Sequence, residues 1–107
     1  MIASVIVDIL SANVDKVYDY IIPAEMTVIK GHRVIVPFGG RNIEGYVIDI
    51  KSQSGIEENK LKSIIKTLEE LPLITEENLR LLYFMQKKYH ILLAEALRLF
   101  IPSQLRG

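Results

Sequence analysis

The stretch Gly31-His32-Arg33-Val34-Ile35-Val36-Pro37-Phe38-Gly39-Gly40-Arg41-Asn42 decides how this chain is read. Val and Ile dominate from Arg33 to Phe38, and the Gly39-Gly40 pair ends the run where the backbone must turn with positive φ. A strand from Arg33 to Phe38 therefore passes through a tight turn into a second strand from Asn42 to Lys51. Upstream, Val17-Tyr18-Asp19-Tyr20-Ile21-Ile22-Pro23 carries the same strand chemistry in a segment from Lys16 to Ile22. Further short apolar runs cover Ala3 to Ile9 and Lys62 to Leu68, with breaks at Ser11-Ala12-Asn13, Pro23, Gly39-Gly40 and Ser52 to Gly55. Connections of a few residues favour antiparallel neighbours, because parallel pairing needs long crossovers. Residues 1–70 are thus expected to form a small, bent antiparallel β-sheet or partial barrel, with Ser52 to Asn59 as its mobile loop.

After Pro72 the periodicity becomes helical. Thr75 is a good N-cap, Glu76 and Glu77 complement the positive end of a helix, and Leu79, Leu82 and Tyr83 recur at helical spacing up to about Tyr89. A second helix is predicted over Leu92 to Phe100, with Leu93, Ala96, Leu97 and Phe100 on one face and Pro102 as its stop. The two form a helical hairpin over residues 75–102, and Leu79, Leu82, Tyr83, Leu93, Leu97 and Phe100 are assigned to the core. The fold class is α+β, in a single domain over residues 1–107.

Composition narrows the function classes. At 107 residues the chain is too short for a motor ATPase, and it lacks a GxxxxGK[ST] phosphate loop. Thirteen basic residues balance thirteen acidic ones, so no global positive field exists to hold a long phosphate backbone. Any nucleic-acid contact has to be local. The absence of cysteine excludes disulfides, thiolate metal sites and cysteine nucleophiles, and it suits a reducing cytoplasm. Met1 to Leu10 is apolar, but Asp8 interrupts it, no basic flank precedes it, and it falls well short of the ~20 residues of a membrane span. His32 and His90 lie far apart in the chain without HxH or HxxxH spacing, and no Ser sits in a GxSxG elbow. Neither a metal, a cofactor nor catalytic machinery is expected.

Two local constellations admit more than one reading. Alternation along the Lys16 to Ile22 strand sends Tyr18, Tyr20 and Ile22 to one face and Val17, Asp19 and Ile21 to the other. The ordinary reading buries both tyrosines and leaves Asp19 in solvent. The functional one lets Tyr18 stack on a base while Asp19 accepts a hydrogen bond from a sugar hydroxyl. Gly39-Gly40 is ordinarily only a turn; in the functional version its missing side chains let backbone amides approach a phosphate or base edge. Lys60, Lys62 and Lys66 read as a polar strand face, with Lys62 and Lys66 on the same side. Arg41 and Lys87-Lys88 read as surface charges.

The Tyr18-Asp19-Tyr20 phrase with Pro23, the Gly31-x-Arg33-Val34-x-Val36-Pro37-Phe38-Gly39 phrase, and Leu61-Lys62 leading into Ile64-Ile65 stand in an order that resembles the N-terminal 3′ DNA-binding domain of the PriA family of replication-restart helicases. The resemblance runs over essentially the whole chain, with a weaker match in the tail from Tyr89 to Pro102. It implies a pocket for the 3′-terminal nucleotide built from Tyr18, Asp19, Tyr20, Gly39 and Lys62. Tyr18 is a conservative departure from the Phe common at that position. Leu92 and Ala94 stand where the family has Pro and Gly, which bears on the turn between the helices.

The resemblance further implies a binding domain rather than an enzyme. It would recognise the 3′ end of the nascent leading strand at an arrested fork and orient a helicase core. Its expected partners are forked DNA with a free 3′ end and the rest of the helicase chain, with other primosome proteins and single-stranded-DNA-binding protein as further candidates. Pro102 to Gly107 is expected to open a linker toward that downstream chain. The competing reading is a protein-interaction module whose sheet docks a partner and whose Tyr18 to Tyr20 segment is core. With Lys62, joined at most by Arg41, touching phosphate, the log–log salt slope for single strands is expected at about −0.7 to −1.4.

Overall fold

A computed structural model describes residues 1–11, 13, 16–68 and 74–100. Four strands form where Val and Ile cluster: β1 (Ile2–Val7), β2 (Val17–Ile21), β3 (Arg33–Phe38) and β4 (Arg41–Lys51). A short β5 (Lys66–Thr67) completes a five-stranded sheet of order β2-β1-β4-β3-β5, antiparallel throughout. The β3–β4 hairpin turns on Gly39 and Gly40 with φ of 59° and 80°, both in the region that excludes most side chains.

The stretch predicted as one strand from Lys62 to Leu68 is different in the structure. Only Lys66 and Thr67 pair regularly, with β3. Ahead of them Ser63 makes an isolated parallel bridge to Ile21, Ile21 N–H donates to the Lys62 carbonyl, and Ile64 N–H donates to the Ile21 carbonyl. The segment thus leans on β2 at one end and β3 at the other and draws the two sides of the bent sheet together.

Alternation feeds two cores. Ala3, Val5, Val7, Tyr20, Val34, Val36, Val47 and Ile64 fill the concave side of the sheet. Ile6, Tyr46 and Ile48 point the other way and pack with Leu79, Leu82, Leu93, Ala96 and Leu97 of the helices. β1 is buried along its whole length because both faces are covered. Opposite Ser4 and Val5 the register of β4 slips by one residue, a β-bulge. Beyond it the alternation is reset, so Val47 and Ile50 both reach the concave core and Lys51 falls on the same face as Ser4.

Helix α1 (Glu76–Tyr89) begins as predicted: Asn78 N–H donates to Thr75 Oγ1 at 3.0 Å, and Thr75 N–H donates to Asn78 Oδ1 at 3.3 Å. It ends on His90 in the left-handed conformation, φ 56°, whose N–H donates to the Gln86 carbonyl. Three residues later α2 (Leu93–Arg98) follows, its entry fixed by Leu92 N–H donating to Glu95 Oε1 at 3.2 Å. The hairpin therefore forms without the Pro and Gly of the resembled pattern. Arg98 Nε donates to Asp8 Oδ1 at 2.8 Å and ties α2 to the end of β1. Tyr83, assigned to the core from its spacing, is 45% exposed, because it lies at the margin of the stripe that Leu79 and Leu82 bury. Pro102 and the tail after it lie outside the described residues.

Candidate functional site

Strand β2 is an edge of the sheet, and beside it opens a cleft of about 590 Å³. All five residues singled out in the sequence, Tyr18, Asp19, Tyr20, Gly39 and Lys62, line it. They arrive from three directions: β2, the turn after β3, and the segment following a 3₁₀ turn at Glu58–Lys60. Since the cleft runs over the free edge of β2, side chains from both faces of that strand reach it.

From the concave face come the aromatic rings. Tyr20 is 4% exposed, and its hydroxyl donates to the Pro37 carbonyl at 2.8 Å, which clamps the end of β3 against β2 just before Gly39. Burial, with Tyr18 adding to it, pushes the Tyr20 hydroxyl pKa up to about 12, so it remains a neutral donor. Tyr20 is a buttress of the cleft rather than a stacking surface. Tyr18 is half-buried and meets Phe38 edge to face, ring centroids 4.9 Å apart at 77°. Lys16 Nζ lies 5.3 Å from the Tyr18 centroid. Tyr18 and Phe38 together are the accessible aromatic wall.

Asp19 comes from the opposite face. Its side chain is 12% exposed and is engaged by Lys51 Nζ at 2.9 Å and Ser54 Oγ at 2.5 Å, both on Oδ2, while Ser4 Oγ donates to Oδ1 at 3.3 Å. Partial burial alone would raise its pKa. The hydrogen bonds from Ser54 and Lys51, the Lys51 charge and the Ser4 hydroxyl outweigh that and hold it below the ordinary aspartate value. Asp19 is therefore an ionised acceptor at neutral pH.

The backbone adds donors and acceptors. Tyr18 and Tyr20 pair with Val5 and Ala3, Ile22 N–H donates to the Met1 carbonyl, and both polar groups of Ile21 point away from β1 to Lys62 and Ile64. Alternation then aims the Asp19 N–H and C=O outward over the free edge, into the cleft. On the far rim a Cβ on Gly39 would meet no atom within 4 Å, so the space above this residue is open.

Lysines surround the opening. Lys16, Lys51, Lys60 and Lys62 line it, with Asp19 as the carboxylate among them. Lys51 is matched by Asp19, and Lys60 lies 4.0 Å from Glu57. Lys62 is exposed and has no side-chain partner among the described residues. Lys16 and Lys51 were not apparent as site residues. Lys16 precedes the strand, and Lys51 reaches Asp19 only through the bulge in β4. Ser54 was assigned to a mobile loop, yet it anchors that loop: it donates to Asp19 and accepts from Ile56 N–H at 3.1 Å. Arg41 is exposed and does not line the cleft.

No helix among the described residues is long and apolar enough to cross a membrane. A family profile for the PriA 3′ DNA-binding domain matches residues 4–102. The chain is 37% identical over 107 residues to the replication restart protein PriA of Bacillus subtilis, an alignment covering 98% of this chain and 13% of that protein. It is 31% identical over 98 residues to the Haemophilus influenzae protein of the same name, covering 92% of this chain and 13% of that one. A probable replication restart protein PriA of Mycobacterium tuberculosis is 31% identical over 94 residues, 86% of this chain and 14% of that protein. The chain thus corresponds to a small part of these relatives, the part that the matching profile describes as a binding domain. On the profile and the shared identity together, the chain belongs to the family of PriA 3′ DNA-binding domains.

Proposed function

We propose that the cleft beside β2 holds the 3′-terminal nucleotide of a DNA strand, at an arrested fork the 3′ end of the nascent leading strand. In doing so it orients the remainder of a replication-restart helicase. The observation that carries this reading is the convergence of an ionised acceptor, Asp19, an aromatic wall, Tyr18 and Phe38, and Lys62, a cation without a side-chain partner among the described residues, around one opening beside Gly39. Stacking and a phosphate contact suit any nucleotide, whereas a carboxylate at the sugar suits one that ends in a free hydroxyl. Forked DNA, the downstream helicase chain, other primosome proteins and single-stranded-DNA-binding protein are the partners this role involves. A linear single strand should compete for the site, and a covalently closed circle of the same sequence should not. Equal competition by the circle would favour contact along the strand and overturn end recognition.

Two further outcomes follow from the same geometry. Base edges meet the backbone groups of Asp19 and the space over Gly39, not a side chain chosen for one base. Oligonucleotides ending in each of the four bases should therefore bind within about tenfold, roughly 1.4 kcal/mol, in anisotropy titrations. A hundredfold preference for one base would contradict backbone readout. Lys16 and Lys62 are the lining lysines without a carboxylate partner among the described residues, and each neutralised phosphate contributes about −0.7 to the log–log salt slope of a single strand. A slope of about −1.4 is expected, with Lys16 in the place that sequence reasoning gave to Arg41. A slope near −4 would require an extended basic track.

A second reading rests on a different surface. Leu81, Phe84 and Tyr89 of α1 are exposed, Phe84 by 56%, and Lys88 lies over the Phe84 and Tyr89 rings. Such a face suits a protein contact. A chain that binds a primosome protein through α1 and shows no preference for DNA ends would be an interaction module instead.

A further inference from the structure

A carboxylate in a DNA cleft is a liability unless its charge is balanced and its orientation fixed, because it repels the phosphates beside the nucleotide it serves. Three side chains from separate segments meet at Asp19: Ser4 of β1, Lys51 at the end of β4, and Ser54 of the loop that follows. Among the described residues Lys16, Lys60 and Lys62 are the other charged groups on the cleft wall, and none of them bonds to the carboxylate. An ionised carboxylate offers about four lone-pair positions. Oδ2 carries both short contacts, at 2.9 and 2.5 Å, while Oδ1 carries only the 3.3 Å contact from Ser4.

Resting on the terminal-nucleotide reading above, we propose that Lys51 and Ser54 are positioning residues. They saturate Oδ2 and neutralise the carboxylate, which leaves Oδ1 as the acceptor offered to the terminal hydroxyl. Ser54 has a second task, because its oxygen also accepts the Ile56 N–H and so folds the loop into the cleft wall, where Ile56 and Leu61 lie. The β-bulge in β4 is what makes the arrangement possible, since it brings Lys51 to the Asp19 face.

The test begins without DNA. The Asp19 side-chain carboxyl ¹³C signal is titrated in the 107-residue chain and in Lys51→Met, Lys51→Arg and Ser54→Ala. Its midpoint is expected below the ordinary value in the unaltered chain, higher by about one unit or more in Lys51→Met and Ser54→Ala, and restored in Lys51→Arg. Affinities for thymidine oligonucleotides, whose bases do not titrate in this range, are then measured with 3′-hydroxyl and 3′-deoxy ends, neither of which titrates, between pH 4 and 8. The sign follows from the carboxylate. Only the ionised form makes the charge-assisted bond to the hydroxyl, so raising the Asp19 midpoint moves the loss of hydroxyl preference to higher pH. On lowering the pH the unaltered chain should keep its preference longest, while Lys51→Met should begin to lose it at a pH higher by the shift in its Asp19 midpoint. An unchanged Asp19 midpoint in both variants overturns the proposal whatever the DNA does. A shifted midpoint in a protein that never distinguishes a 3′-hydroxyl from a 3′-deoxy end refutes the terminal-nucleotide reading, and the positioning role with it.

Discussion

An oligonucleotide ending in a 3′-deoxynucleotide is expected to bind roughly 10- to 150-fold more weakly than the same strand with a 3′-hydroxyl. A hydrogen bond to a charged acceptor is worth about 1.5–3 kcal/mol, and the deoxy end leaves the Asp19 carboxylate without that donor. A 3′-phosphate should be weaker still, because it lacks the donor and sets negative charge against a carboxylate that is ionised at neutral pH. Lys51 tempers the repulsion without removing it, since its ammonium is already shared with Oδ2 at 2.9 Å. Asp19→Asn keeps the shape and removes the charge, so it should weaken the hydroxyl end while narrowing its advantage over the phosphate. Circular dichroism and a melting curve establish beforehand that the variant is folded. Equal discrimination by the unaltered chain and Asp19→Asn would show that Asp19 only stitches β2 to Ser4, Lys51 and Ser54.

The parts of the molecule legible in the sequence are those governed by local chemistry. The strand from Arg33 to Phe38 and the turn on Gly39-Gly40 are observed with the predicted bounds, because β-branched residues followed by two glycines leave the backbone little choice. Thr75 caps α1 as its hydroxyl and the following acids indicate. The five residues at the cleft were found through resemblance, as periodicity alone favoured burying both Tyr18 and Tyr20 in the core. The structure divides them: Tyr20 is buried and hydrogen-bonded, and Tyr18 faces the opening. What sequence reasoning missed depends on events between segments. One extra residue in β4 decides which face Lys51 occupies, and no residue type announces that slip. Ser54 is one of several small polar residues in a loop, distinguished only by the Asp19 carboxylate arriving from β2. Lys62 to Leu68 reads as a strand from its short apolar run, but its backbone bonds to β2 first and to β3 afterwards.

Replacing Leu82 by Ala is expected to cost about 2–5 kcal/mol of folding stability, the usual range for truncating a buried leucine that leaves a cavity. Leu82 is fully buried in the core between the helices and the convex side of the sheet, among Ile6, Tyr46, Ile48 and Leu97. At about 4–8 °C per kcal/mol for a domain near this size, the melting temperature should fall by ~10 °C or more. DNA-end affinity, measured where the variant is still folded, should stay within about twofold. The cleft draws its support from the other core, through Tyr20, Val34 and Val36, and the sheet separates the two. Tyr20→Phe should give the reverse pattern. It loses only the hydroxyl that donates to the Pro37 carbonyl, about 1 kcal/mol of stability, but frees the end of β3 beside Gly39 and should weaken end binding measurably. Loss of DNA binding in a folded Leu82→Ala protein would mean that the helical pair sets the width of the cleft through β1 and β4. In that case the helices would belong to the binding site as much as the strands do.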